Sequence, residues 1–147
     1  MISDKSMRWT PWLLLLGDLL AVLLFVFTGQ RDHNTVDAAR PLLGLLRTAF
    51  PFLLAWVVVA WVVKAIPLTA AGMRLPILLA RTVIAWFIAA PLALMLRGFI
   101  LGRDIPPMFM LVTLTLGSLF VVAWRLAFGL VWHKRTGHSP AQPAESV

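Results

Sequence analysis

Four long apolar stretches run through the chain, and short polar segments separate them. They cover about residues 11–28, 48–66, 76–96 and 107–132. Each is close to the roughly 20 apolar residues that a helix needs to cross the hydrocarbon core of a bilayer. Backbone groups in lipid must be hydrogen-bonded within the span, so the stretches predict α-helices. The pattern predicts an all-α integral membrane bundle of four transmembrane helices, with both termini on the same side.

Proline, glycine and polar residues predict where the spans end. Residues 1–10 form a polar lead that we expect to be disordered or interfacial, and Gly29 predicts the end of the first helix. Residues 29–47 form the longest link, whose leucine-rich second half suits a segment lying on the membrane interface. Pro51 falls in the first turn of the second span, where proline is well tolerated. Residues 133–147 predict a disordered tail.

Composition and charge support the membrane assignment. Of the 147 residues, 61% are hydrophobic and 13% are charged, whereas a soluble domain is about half apolar and about a quarter charged. The net charge of +7 does not indicate nucleic-acid binding, because the cations lie in short segments between the spans. Lys and Arg residues in such segments are typical of membrane topology. The chain has no cysteine, which excludes disulfides, a thiol nucleophile and cysteine metal sites.

Three charged residues fall inside the apolar spans. Asp18 lies near the middle of the first span, Arg81 near the start of the third and Arg125 in the last third of the fourth. At about 1.5 Å of rise per residue, all three lie roughly 7–10 Å from the ends that hold the termini. An isolated charge deep in a span costs about 3 kcal/mol or more. The shared depth predicts that Asp18 pairs with Arg125, with Arg81 as a third member of a buried charge cluster.

Alternatives to this cluster remain open. Both arginines can extend to the nearby headgroups, with Asp18 protonated or bonded to a hydroxyl. If the pair exists, it either fixes which helices meet or relays protons or ions. Fixing the helices is the favoured interpretation.

The polar residues outside the spans offer no enzyme site. No Ser-His-Asp or Cys-His arrangement occurs, so we expect neither enzyme activity nor a cofactor. His33, Asp32 and Asp37 have metal-binding side chains, but a polar link needs such residues anyway, and we expect no tightly bound metal. We expect His33 and Arg97 to lie together at the outer mouth of the bundle.

Several short motifs occur in a characteristic order. They are an acid in the first span (Asp18), Gly29-x-x-x-His33, Pro51-Phe52, Leu96-Arg97-Gly98, the stretch 109–112 and Trp124-Arg125. Together they resemble the uncharacterised prokaryotic membrane family known as domain of unknown function 3054. The family usually has Arg directly after the motif glycine, whereas this chain has Gln30 there. The resemblance implies a small four-span membrane protein and brings no known reaction, ligand or partner.

Two functions are compatible with these features. The favoured one is an accessory or scaffold protein of the plasma membrane, which acts through helix–helix association in a homo-oligomer or a larger complex. The alternative is a homo-oligomeric transporter or channel that uses the buried Asp–Arg pair. A water-filled cavity reaching Asp18 would favour transport, and a dry, closed pair would favour the scaffold. The expected helix-packing residues are Gly117, Ser118, Pro51, Phe52 and Trp124.

We predict that both termini lie in the cytoplasm, because the Lys and Arg count is slightly higher on their side. On that side we expect Lys5, Arg8, Lys64, Arg74, Lys134 and Arg135, and on the other Arg31, Arg40, Arg47, Arg97 and Arg103. A single cysteine placed at Asn34 should react with an impermeant thiol reagent in intact cells, and one at Ser139 should not. The reverse labelling pattern would contradict this orientation.

Overall fold

A computed structural model describes residues 4–32, 38–102 and 104–136 of the chain. Its elements are α1 (Asp4–Asp32), α2 (Pro41–Val62), a short 3-10 helix (Ala70–Met73), α3 (Leu75–Leu101) and α4 (Pro107–Thr136). No strand occurs among the described residues. Each of the four α-helices is long enough and apolar enough to cross a bilayer. The prediction of an all-α, four-span membrane protein is confirmed.

The four helices form a closed ring in chain order. Each helix packs against the next, and α1 also packs against α4. The indole N–H of Trp124, late in α4, donates to the carbonyl of Leu14, early in α1, at 3.2 Å. The start of α1 and the end of α4 therefore lie at one end of the bundle, which we call the termini side. The end of α1 lies near the start of α2, and the end of α3 near the start of α4, at the opposite side.

The first helix is longer than the apolar pattern predicts. It begins at Asp4 within the expected polar lead, contains Pro11 and continues through Gly29 to Asp32. Glycine ends a helix when it adopts the left-handed conformation, and Gly29 does not. Gly102 does so with φ of 59°, and its N–H donates to the carbonyl of Gly98 at the end of α3.

The second helix also begins earlier than predicted. Pro41 occupies its first turn, where the fixed φ of proline suits a helix and its missing N–H is not needed. The N–H of Gly44 donates to the carbonyl of Arg40 at 2.9 Å and closes that turn. The leucine-rich segment expected on the interface is therefore the start of α2. At the other end of the chain, α4 extends beyond the predicted span to Thr136, and residues 137–147 lie outside the described part.

The chain reverses tightly after α2. Lys64 has φ of 56°, and the N–H of Ala65 donates to the carbonyl of Ala60 at 2.8 Å. The N–H of Lys64 donates to the carbonyl of Trp61 at 3.1 Å. These two bonds form a Schellman motif, with Lys64 in the position that glycine usually takes. The carbonyls of Lys64 and Ala65 are thus outside the helical hydrogen-bond ladder and available to side chains.

Two glycines allow tryptophans to pack directly on a neighbouring helix. The Trp124 ring of α4 lies on Gly17 of α1, and a Cβ at Gly17 would overlap that ring. The same indole donates to the carbonyl of Leu14, three residues before the glycine. The ring thus covers a site that only a glycine leaves open.

The second contact repeats this arrangement between α3 and α4. The Trp86 ring lies on Gly117, where a Cβ would overlap it. Its N–H donates to the carbonyl of Leu114 at 3.2 Å, again three residues before the glycine. Close approach at small residues is typical of helix packing in membranes, and here it joins α4 to both of its neighbours.

The remaining predicted packing residues have different roles. Pro51 and Phe52 are buried on α2, and Phe52 meets Phe25 of α1 edge to face, with ring centroids 6.3 Å apart. Ser118 donates to the carbonyl of Thr115 on its own helix at 2.8 Å. This bond of Ser118 lies within α4 and does not join two helices.

We predict that Gly17→Ala and Gly117→Ala each lower the thermal unfolding midpoint in mild detergent. Alanine favours a helix over glycine by about 1 kcal/mol, but overpacking against a hydrogen-bonded indole costs about 1–3 kcal/mol. Gly29→Ala is the matched control, since nothing lies within 4 Å of a Cβ there. It should leave the midpoint unchanged or raise it. Equal midpoints for all three variants would contradict the packing role of the two glycines.

Candidate functional site

A buried ion pair joins α1 to α4 on the termini side of the bundle. The Nε of Arg125 donates to Oδ1 of Asp18 at 2.9 Å, and Nη2 donates to Oδ2 at 2.6 Å. Both side chains are 0% exposed. The two parallel bonds form the fork-to-fork geometry in which guanidinium and carboxylate interact most strongly.

The remaining arginine donors point to α3 and to the turn after α2. The Nη1 of Arg125 donates to the backbone carbonyl of Ala65 at 2.6 Å and to Oγ1 of Thr82 at 3.1 Å. Thr82 in turn donates its hydroxyl proton to the carbonyl of Leu78 at 2.6 Å. The hydroxyl is thereby oriented with a lone pair toward the arginine. Groups from α1, α3 and the α2–α3 turn thus all accept hydrogen bonds from the Arg125 guanidinium.

An aromatic ring completes the surroundings of the arginine. The Cζ of Arg125 lies 5.3 Å from the ring centroid of Trp56 on α2, which is within the range of a cation–π interaction. Trp56 is fully buried, so the guanidinium lies over its ring away from water. We call Asp18, Trp56, Ala65, Thr82 and Arg125 the charge centre.

The sequence predicts Arg81 as a third member of this centre, but Arg81 does not join it. Its Nη1 donates to the backbone carbonyl of Lys64 at 3.0 Å, at an exposed site. The helix turns by about 100° per residue, so Thr82 faces the bundle interior where Arg81 does not. Adjacent carbonyls of one turn thus accept from two different arginines. The carbonyl of Lys64 accepts from Arg81, and the carbonyl of Ala65 accepts from Arg125.

A separate cavity of about 460 Å³ opens at the opposite side of the bundle. The apolar part of its wall includes four phenylalanines, Phe25, Phe52, Phe109 and Phe120. Arg97 also lines it, as expected for the outer mouth. The other residue expected there, His33, lies outside the described residues. The polar lining consists of Thr28, Gln30, Asp32, Thr48, Arg97 and Thr113.

A layer of aromatic rings separates the cavity from the charge centre. Phe25 contacts Phe52, Trp86 and Phe120, with centroid distances of 6.3, 6.2 and 6.1 Å. Trp86 also lies 5.8 Å from Trp56, which in turn contacts Arg125. We call Phe25, Phe52, Trp86 and Phe120 the aromatic layer. Neither Asp18 nor Arg125 lines the cavity, so the polar groups at the two ends of the bundle are not continuous.

The part of the chain that the structure describes contains no cluster of side chains suited to a metal ion. Within residues 4–32, 38–102 and 104–136, no three His, Cys, Asp or Glu side chains cluster closely enough to hold a metal ion. His33 and Asp37 lie outside those ranges. The absence of a bound metal therefore stays a prediction.

Comparison with known proteins agrees with the motif order. Residues 15–128 match the model of a family described as "protein of unknown function (DUF3054)", which confirms the resemblance. The matched range includes both partners of the buried ion pair. No curated protein and no solved structure matches the chain.

We predict that Asp18→Asn and Arg125→Gln each reduce the folded yield and the thermal midpoint in mild detergent. Removing one partner of a buried pair costs about 3–5 kcal/mol, because the other charge is left uncompensated. The double variant should recover part of the loss, since it buries no unpaired charge.

Arg81→Gln serves as the matched control for this pair. It removes an arginine of similar predicted depth whose hydrogen bond is exposed, so the midpoint should change little. Losses that add up in the double variant, or an equal loss in Arg81→Gln, would contradict the proposed coupling between Asp18 and Arg125.

Proposed function

The chain belongs to the DUF3054 family of proteins of unknown function, and from its geometry we propose that it is an accessory protein of the plasma membrane. It acts through helix–helix association, in a homo-oligomer or in a larger membrane complex. The bundle itself does not conduct ions or solutes. The observation that supports this proposal is the closed charge centre.

A proton or ion relay is built from intramembrane groups that face a water-filled cavity or a chain of further ionisable groups. Asp18 and Arg125 are both 0% exposed. Each carboxylate oxygen accepts from the guanidinium, and Nη1 is occupied by Ala65 and Thr82. Such an arrangement suits a fixed connection between helices, which is the best-attested use of buried polar groups.

The outward faces of the helices are the surfaces left for association. Gly117, one of the expected helix-packing residues, is covered by Trp86 of the same chain. Ser118 bonds within its own helix. Contact with a partner would therefore use apolar side chains such as Leu119 and Leu126, which are exposed on α4. Van der Waals packing drives such contacts in lipid.

Transport is the second candidate, and the cavity at the opposite side is the observation that favours it. A cavity open to one side could serve as the entrance to a transport pathway. The aromatic layer lies between that cavity and the charge centre, however, and Trp86 connects the layer to Trp56. Transport would require these packed rings to separate, so the accessory role has the stronger support.

We predict that proteoliposomes containing the purified chain leak protons no faster than empty liposomes. Vesicles with an internal pH dye and a potassium gradient can be tested by adding valinomycin, with a protonophore as positive control. A proton flux above background that disappears in Asp18→Asn would contradict the proposal and favour the transporter.

Association itself can be located with a photo-crosslinking amino acid on each helix. Leu24, Val58, Ile84 and Leu119 lie on α1 to α4 in turn and are exposed by 54%, 53%, 52% and 61%. In cells, at least one position should give a discrete protein crosslink, while the others serve as matched lipid-facing controls. Crosslinks to lipid alone at all four positions would contradict the accessory role.

A further inference from the structure

The cavity at the opposite side contains a polar group that the proposed function does not use. Thr113 of α4 is 0% exposed and lines the cavity. Its Oγ1 has no hydrogen-bond partner among the described residues. A buried hydroxyl without a partner is unfavourable, because it has lost its hydrogen bonds to water. Threonines at other positions avoid this cost by donating to their own helix, as Thr115 does to Leu111.

Arg97 lines the same cavity and forms no ion pair with the described residues. The guanidinium of Arg97 lies 6.0 Å from the ring centroid of Phe109 and makes no hydrogen bond or salt bridge to the described residues. Arg97 is partly buried near the end of α3. Its five N–H donors are arranged to bind a planar oxyanion. Arg97 of α3 and Thr113 of α4 thus line one space, and Thr113 does so with a buried side chain whose hydroxyl has no partner among the described residues.

The other polar groups on the wall are held by the protein. Gln30 donates to Oγ1 of Thr48 at 2.8 Å, and Thr48 donates to the carbonyl of Gly44 at 3.0 Å. These bonds fix α1 to the start of α2. Asp32 also lines the cavity and is exposed. Its negative charge repels anionic ligands, and repels a dianion more strongly than a monoanion.

The rest of the wall requires an apolar ligand body. Most of the cavity surface comes from Phe25, Phe52, Phe120 and neighbouring aliphatic residues. The volume of about 460 Å³ lies in the range of about 300–1,000 Å³ that is typical of small-molecule sites. Such sites combine an apolar lining with a few placed polar groups.

From these features we infer that the cavity binds an apolar monocarboxylate, with its carboxylate at Arg97, its body among the phenylalanines and a polar contact at Thr113. This binding site goes beyond the proposed accessory role and does not depend on it. The ligand chemistry has two possible sources, a fatty acid from the bilayer or an aromatic acid from the aqueous phase.

A cysteine reporter can test this site, because the chain has no cysteine of its own. Thr28 lines the cavity and is exposed, and its neighbour Phe27 is exposed but is not part of the wall. Thr28→Cys and Phe27→Cys should therefore be made separately in full-length chain. Each is placed in nanodiscs of neutral phosphatidylcholine, and its reaction rate with N-ethylmaleimide is measured.

Decanoate or 3-phenylpropanoate should slow the reaction of Thr28→Cys several-fold in a saturable manner and leave Phe27→Cys unchanged. Protection by decanoate alone identifies a membrane source, and protection by 3-phenylpropanoate alone an aqueous one. Decanol, which has the same chain as decanoate but no charge, should protect only weakly. Absence of saturable protection by either acid, or equal protection by decanol and decanoate, would overturn the inference.

Two further variants test the assigned residues in the Thr28→Cys background. Arg97→Gln should raise the half-protecting concentration of the acid about tenfold or more, the effect of losing a charge-assisted bond, and Arg97→Lys should restore part of it. Thr113→Val keeps the shape and removes the hydroxyl, so it should weaken protection by a smaller factor. It also provides the test if Arg97→Gln does not fold. Protection that is unchanged in the folded variants would show that neither residue contacts the acid.

Discussion

The fold depends on one guanidinium that cannot reach water. Arg125 lies inside α4 with 0% exposure, and a charge at that depth is unfavourable unless the protein surrounds it with acceptors. α1 supplies the carboxylate of Asp18, the turn after α2 supplies the carbonyl of Ala65, and α3 supplies the hydroxyl of Thr82. Each acceptor comes from a different part of the chain, so satisfying Arg125 fixes the relative height of all four helices. The hydrophobic effect does not set such a register, because lipid tails are as apolar as the side chains they would replace.

The charge centre also explains why the two ends of the bundle differ. On the termini side, the ion pair and the contact of Trp124 with Gly17 hold α1 close to α4. Trp86 on Gly117 holds α3 against α4 deeper in the bundle. Beyond the aromatic layer no ion pair connects the described parts of the four helices, and there they enclose a cavity instead. The termini side is therefore closed by polar bonds, and the opposite side leaves room for a small molecule.

Sequence reasoning located the ion pair because depth in a membrane follows directly from residue count. The rise per residue brings Asp18 and Arg125 to one level, and the cost of an isolated charge joins them. Depth says nothing about direction around the helix. It therefore predicts Arg81 in the cluster, although the neighbouring Thr82 makes the contact with Arg125. Ala65 could not be identified as an acceptor, because a backbone carbonyl is present at every residue. The relevant signal was the helix end before Pro67, where carbonyls outside the helical ladder must find other donors.

The cavity was harder to predict because its lining comes from the ends of four helices that are distant in sequence. Topology predicts Arg97 at the outer mouth, but residue type alone does not distinguish Thr113 from the other hydroxylated residues of the fourth span. What distinguishes Thr113 from Thr115 is not residue type but surroundings, since the Thr115 hydroxyl bonds its own helix and the buried Thr113 hydroxyl has no partner among the described residues. Among the described residues the buried Arg125 is paired with an acid and the partly buried Arg97 is not, so Arg97 and the unpartnered hydroxyl of Thr113 on the same wall are an exception to that pairing. Exceptions of this kind are expected where a protein binds something, because the ligand supplies the missing partner.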